Sequence, residues 1–131
     1  MLNRRSFFAA AAATTATLAI SGATAAVAGG AKGTFEGLSN HITTGGVKVV
    51  KENGRYIVEL ADDFSLDGGP DPRVAFGKDG TYDPETKLGA LLNLTGKQRY
   101  AVPPTLDISA HNEVYIWCEV AGVPLGVAKI K

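Results

Sequence analysis

Val47-Lys48-Val49-Val50-Lys51-Glu52-Asn53-Gly54-Arg55-Tyr56-Ile57-Val58-Glu59-Leu60 reads as two short strands around a tight turn. Apolar and polar residues alternate through Val47–Lys51 and Tyr56–Leu60, the period of a strand with one face buried. Asn53-Gly54 between them is the pair that best accepts positive φ at both central positions of a two-residue hairpin turn. Similar short patterns predict further strands at Arg73–Gly77, Gln98–Val102, Glu113–Val120 and Leu125–Ile130, with another around Thr34–Leu38. Gly, Pro, Asn and Asp punctuate the intervals. Lys87–Leu94 reads as a single helical turn, weakened by Gly89. No segment holds a 3.6-residue period with caps at both ends. The expected fold class is therefore all-β, an antiparallel β-sandwich of short strands, since a parallel sheet would require helices between its strands.

Upstream of the strands the chain has a different character. Arg4 and Arg5 are the only ionisable side chains before Lys32, and Arg4-Arg5-Ser6-Phe7-Phe8 leads into an Ala/Thr-rich stretch running to Ile20. Ala23-Thr24-Ala25 and Ala26-Val27-Ala28 both fit a small-residue cleavage site. Residues 1–28 are read as a twin-arginine export signal and 29–131 as one mature domain acting in the periplasm or outside the cell. Asn3 stands where a Ser or Thr is usual, which leaves the general secretory route open without changing the destination. The apolar stretch is short and diluted by threonine, below the roughly 18 consecutive apolar residues a membrane span requires, so the mature chain is expected to carry no transmembrane anchor.

Removing Arg4 and Arg5 from the 13 basic residues leaves 11 against 13 acidic ones, a formal charge of −2. A weakly acidic domain has no basic stripe to follow phosphates, which argues against nucleic acid and anionic membranes as partners. About 100 residues suffice for one modest core. The single cysteine, Cys118, excludes an internal disulfide.

Cys118 lies in Glu113-Val114-Tyr115-Ile116-Trp117-Cys118-Glu119-Val120. A strand here sends Val114, Ile116, Cys118 and Val120 to one face and Tyr115, Trp117 and Glu119 to the other. That pattern puts the thiol in the core and the aromatic pair on a partly covered outer face. A buried free cysteine behaves as a small hydrophobe, and a functional role requires a partner near its sulfur.

Several short motifs recur in a known order. They are Gly33-Thr34-Phe35, His41-Ile42-Thr43-Thr44-Gly45, Asp63-Phe64, Gly69-Pro70-Asp71, Gly96-Lys97-Gln98-Arg99-Tyr100-Ala101-Val102-Pro103, Leu106-Asp107-Ile108 and Val114-Tyr115-Ile116-Trp117-Cys118. Together they resemble the DM-thirteen domain, also called the electron-transfer DM domain, over almost the whole mature chain. In animals that domain occurs beside DOMON modules. The resemblance implies redox transfer at the cell surface through the cysteine, either as a bare thiol or by holding a group such as haem, with a redox partner protein at the cell envelope. Cys118 takes the redox role by this likeness, and His41 stands where the family pattern also has histidine. The chain departs from the family in having Ala121 and Leu125 after the cysteine, and His111, where aromatic residues are usual.

Three chemistries follow. Haem iron accepts a thiolate or an imidazole, which makes Cys118 and His41 the candidate ligands; without Cys-x-x-Cys-His any haem is non-covalent. A bare thiol is oxidised to a sulfenic acid or a mixed disulfide, and no resolving cysteine exists in the chain. One cysteine and two histidines are too few soft ligands for a metal centre to be expected. Asp62, Asp63, Asp67 and Asp71 around Gly68-Gly69-Pro70, and Asp79 and Asp83 about Gly80, lack EF-hand spacing and read as turn residues rather than calcium loops. Hydrolase and nucleotide-binding motifs are missing. Two readings remain: a redox module centred on Cys118, with haem or with no cofactor, and a cofactorless cell-envelope binding module in which Cys118 is structural and Tyr115 and Trp117 offer contact area.

Overall fold

The computed structural model describes residues 30–131, so the 1–28 segment read as an export signal lies outside the described residues. The strands are β1 (Lys32–Gly37), β2 (Thr43–Thr44), β3 (Gly46–Glu52), β4 (Arg55–Leu60), β5 (Ser65–Leu66), β6 (Pro72–Lys78), β7 (Thr81–Tyr82), β8 (Gly89–Ala90), β9 (Gln98–Ala101), β10 (Glu113–Cys118) and β11 (Val123–Lys129). Every pairing among them is antiparallel.

The Asn53-Gly54 hairpin forms as its sequence predicts. Asn53 (φ 51°) and Gly54 (φ 78°) both take positive φ, and β3 and β4 run in register from Glu52↔Arg55 to Val47↔Leu60. Val47 and Val49 are buried while Lys48 and Lys51 are exposed, which is the alternation read from the sequence.

One curled sheet supplies both layers of the sandwich, in the order β7-β6-β10-β11-β1-β3-β4-β9, with β8 also paired to β6. β1 makes the corner. Its first half, Lys32–Thr34, pairs with β3, and its second half, Phe35–Gly37, pairs with β11. A strand that changes partners halfway along turns one layer into the next. The core between the layers takes Val49, Val58 and Leu60 from one side and Val74, Phe76, Val114, Ile116 and Leu125 from the other, each at most 1 % exposed. Each such side chain contributes roughly 1.5–3 kcal/mol on burial. The small sheet β2–β5 caps one end, where Phe64 meets Phe35 edge to face at 5.4 Å.

Two local expectations are corrected. Lys87–Leu94 holds no helical turn: a short 3-10 turn forms earlier, at Pro84–Thr86, and residues 89–90 form β8. Asp83 caps that turn by accepting the Glu85 N–H, and Pro84 opens it, whereas Gly89 sits at φ 138° and breaks any helical path. Val120 is not on the buried face, because β10 ends at Cys118 and the chain turns, leaving Val120 72 % exposed.

Candidate functional site

β10 lies between β6 and β11 in the middle of its layer, which fixes the residues on both of its faces. Opposite it β11 carries a bulge: Ile116 pairs with Gly126 and Trp117 with Pro124, leaving Leu125 extra. A proline in an interior strand is tolerated at such a point, where a ladder bond is already interrupted.

Cys118 ends β10, paired with Pro72 on one side and Val123 on the other. Its side chain is fully buried in the cluster that includes Val74, Ile116 and Leu125. Above it the chain reverses through Glu119–Gly122. Gly122 N–H donates to the Cys118 carbonyl at 2.8 Å, and Ala121 N–H donates to Sγ at 3.4 Å. Gly122 takes φ 66°, which closes the turn. Val120, Ala121 and Gly122 are all exposed, and Ala121 of this surface turn is in contact with the sulfur.

The outer face of the same strand is aromatic. Trp117 stacks on Tyr82 with ring centroids 3.9 Å apart and planes 4° apart, and Tyr115 meets Tyr82 edge to face at 5.9 Å. The close approach depends on Gly77, because a β-carbon there would run into the Tyr115 ring. Burial pushes the Tyr82 phenol up, with nearby Glu119 and Asp83 adding to it; burial and then Glu113 do the same to Tyr115. Both phenols therefore stay protonated around neutral pH. The Tyr82 hydroxyl is buried without a hydrogen-bond partner. Sequence reading placed Tyr115 and Trp117 here but missed Tyr82, which arrives through the Asp79-Gly80 turn that folds β7 back on β6.

His41 follows β1 at the capped end. Its Nδ1 lies 2.8 Å from Asp67 Oδ1, and Ile42 N–H donates to the other carboxylate oxygen at 3.0 Å. The His41 hydrogen bond, then the one from Ile42, holds the Asp67 carboxyl below its ordinary range. His111 is placed elsewhere, with Nε2 2.9 Å from Asp83 Oδ2 and Nδ1 3.0 Å from the Asp107 carbonyl oxygen. Both of its ring nitrogens thus face oxygen atoms.

Cys118 and His41 lie toward the same end of the sandwich but have different partners, and the structure does not join them. Sγ is enclosed and engaged by Ala121, and His41 is tied to Asp67. Neither lines the clefts beside Glu113, Asp62, Glu36 or Tyr82. These residues do not fit the macrocycle of a shared haem. A cleft of about 600 Å³ lies at the opposite end and is lined by Asp79, Asn112, Glu113 and Lys129 among others. Within it Gly80 N–H donates to both Glu113 carboxylate oxygens, Asp79 N–H donates to Asn112 Oδ1, and the Asn112 amide donates to Asp79 Oδ1. Among the described residues no set of three or more His, Cys, Asp or Glu side chains could hold a metal, and no helix is long and apolar enough to cross a membrane.

Residues 34–130 match the family model described as electron transfer DM13. No curated protein and no solved structure matches the chain.

Proposed function

Because this chain belongs to the electron transfer DM13 family, we propose that it is an exported, single-domain electron-transfer module whose redox group is the Cys118 thiol. The observation that carries the reading is the position of that thiol. It ends an interior strand beneath a single surface turn, held there by the hydrogen bonds from Ala121 and Gly122. Opening this turn uncovers the sulfur without dismantling either layer of the sandwich.

The chemistry fits a chain with one cysteine. The Cys118 thiol gives its proton to solvent, and the thiolate attacks one sulfur of a partner protein's disulfide. A new S–S bond forms, the partner's S–S bond breaks, and the second partner sulfur leaves as thiolate. No second cysteine in the chain can resolve this mixed disulfide, so an external thiol does so: its thiolate attacks the Cys118 sulfur, the partner leaves with both sulfurs reduced, and a second equivalent of that thiol frees Cys118 as the external disulfide departs. The partner disulfide is thus the oxidant and the external thiol the reductant, with Cys118 carrying the exchange between them.

A second reading is favoured by one observation: Cys118 is fully buried among aliphatic side chains, as a structural cysteine is. In that reading the domain is a cofactorless envelope binding module. The test is the exported protein's visible spectrum before and after reduction, followed by mixed-disulfide trapping with a small aromatic disulfide. A featureless spectrum with a trapped Cys118 adduct on the folded protein supports the thiol module. A Soret band that shifts on reduction overturns it in favour of haem, and a thiol that reacts only when the protein unfolds overturns it in favour of the binding module.

A further inference from the structure

Asn93-Leu94-Thr95 has the spacing of an N-glycosylation acceptor, an asparagine with Ser or Thr two residues on and no proline between. Of the five asparagines in the chain, Asn93 alone meets it. Three residues can match by chance, so the weight falls on where the fold puts them. An acceptor has to stand on a surface loop of a protein that leaves the cytoplasm. Leu92, Asn93, Leu94 and Thr95 are all exposed, in the loop that joins β8 to β9.

Backbone atoms make the contacts that hold this loop. Leu92 N–H donates to the Tyr100 hydroxyl at 2.9 Å, Asn93 N–H to Gln98 Oε1 at 3.1 Å, and the Asn93 carbonyl accepts from Gln98 Nε2 at 2.9 Å. Leu66 N–H donates to the Leu94 carbonyl at 2.8 Å. Gln98 and Tyr100 are both buried, and the Tyr100 hydroxyl donates to Gln98 Oε1. Two buried side chains of β9 thus grip the main chain of the loop and leave its side chains to solvent. Among these are the Asn93 amide, which would carry the sugar, and the Thr95 hydroxyl, by which a transferase recognises the motif.

The residues flanking Asn93 point the same way. Leu92 is 64 % exposed and Leu94 46 %. Neighbouring Cα atoms are about 3.8 Å apart, so the first sugars of a chain on Asn93 reach both leucines. The C–H face of a pyranose ring packs on such side chains while its hydroxyls remain in water. A glycan on Asn93 therefore covers apolar surface that the fold itself leaves open.

We infer that Asn93 is an N-glycan acceptor that takes an oligosaccharide from a lipid-linked donor. Asn93 Nδ2 attacks the anomeric carbon of the first sugar. The new N–C bond replaces the C–O bond to the lipid phosphate, the lipid phosphate leaves, and one Nδ2 proton passes to solvent. The inference rests on the export part of the reading above and not on Cys118. Twin-arginine export delivers folded protein, so the acceptor must be presented by the finished fold, as Asn93 is. The few bonds holding it lie at the rim of the sandwich and release without opening either layer.

The test uses the full chain, exported by its own signal from its native host. Trypsin cuts after Lys87 and Lys97, which puts the acceptor in the peptide Leu88–Lys97. Most exported copies are expected to carry a mass excess in sugar increments on that peptide. The excess should be lost in Asn93→Gln and in Thr95→Ala and kept in Thr95→Ser, whose hydroxyl serves the same recognition. Asn93→Gln should fold with an unchanged circular dichroism spectrum and bind more of an apolar dye than the glycosylated protein. That difference should vanish when Leu92→Ser and Leu94→Ser are added to both.

An exported protein with an unmodified Leu88–Lys97 peptide overturns the proposal and leaves the export and thiol readings standing. An excess that survives Asn93→Gln places the sugar on a hydroxyl and overturns it as well. Protein confined to the cytoplasm overturns this inference and the export reading together. Equal dye binding would remove the covering of Leu92 and Leu94 from the proposal.

Discussion

The rate at which Cys118 reacts with a small alkylating reagent distinguishes a gated redox thiol from a structural one. Uncovering the sulfur by opening residues 120–122, with Glu119 still held by Asp71 and Lys87, breaks two hydrogen bonds, Ala121 N–H to Sγ and Gly122 N–H to the Cys118 carbonyl. At roughly 1 kcal/mol net for each, the opening costs about 2 kcal/mol. With tenfold per 1.4 kcal/mol, the thiol is open about one part in 30. Iodoacetamide should therefore label the folded protein about 30-fold more slowly than a free cysteine peptide. Labelling through global unfolding would be far slower, since domains are stable by about 5–15 kcal/mol. The assay measures the labelling rate across sub-denaturing urea concentrations. A local opening exposes little surface, so the rate should barely change with urea. A rate that climbs with the full slope of global unfolding would refute the argument and leave Cys118 a sealed core residue. A rate equal to that of the free peptide would refute the burial itself.

Cys118→Ser places a hydroxyl in an apolar core and should cost about 1–3 kcal/mol, lowering the melting temperature by several degrees while the strand signature in circular dichroism persists; mixed-disulfide formation should vanish, and its survival would exclude Cys118 as the reacting group. Gly77→Ala pushes a methyl into the Tyr115 ring and should cost about 1–3 kcal/mol by overpacking, with altered Trp117 emission as the local readout; unchanged emission and stability would contradict the packing. Asp83 has its carboxyl held low first by the His111 hydrogen bond, and Asp71 first by that from Arg73. A carboxyl depressed on folding adds stability that is present above its unfolded value, about 3.9, and is lost as pH falls through the folded value, so the urea midpoint should drop below about pH 4, less steeply in Asp83→Asn. An unchanged slope in that variant would remove the His111–Asp83 pair from the acid response. Arg4→Lys with Arg5→Lys should leave the precursor in the cytoplasm if residues 1–28 direct twin-arginine export, and normal export would reject that route.

Local chemistry made the strands legible. Asn53-Gly54 between alternating runs names its own turn and register, and Val114, Ile116 and Cys118 declare the buried face of β10 by period alone. Corner formation by β1 was hidden, because a change of partner from β3 to β11 depends on two strands distant in sequence. Val120 was misplaced for a related reason: alternation continues on paper past Cys118, but the Gly122 turn stops the strand first. The site was legible only in part. Cys118 stands out as the one thiol, whereas its cover is a turn whose closeness to sulfur no spacing rule encodes. Tyr82 carries no motif, and its stacking on Trp117 follows from the β6–β7 reversal. His41 finds Asp67 across 26 residues because β2 and β5 pair at the capped end.

Burial of Cys118 is compatible with the thiol mechanism proposed above when the turn in contact with the sulfur is counted as part of it. A permanently exposed lone thiol outside the cytoplasm would be captured by any passing oxidant or disulfide, since nothing in the chain competes for it. Closing Val120–Gly122 over Sγ suppresses that reaction by the fraction of time the turn is shut. A docked partner that binds Val120 and its neighbours in the open arrangement shifts the same equilibrium the other way, in proportion to its preference for the open state. Under the proposed thiol mechanism, specificity comes from the surface around the turn rather than from the sulfur, which any thiol could supply. It follows that Val120→Ser should weaken exchange with a protein disulfide partner while leaving exchange with a small disulfide nearly unchanged, because only the protein partner uses the apolar contact. Equal losses with both would mean that the substitution acts on the turn alone, and partner-driven opening would have to be abandoned.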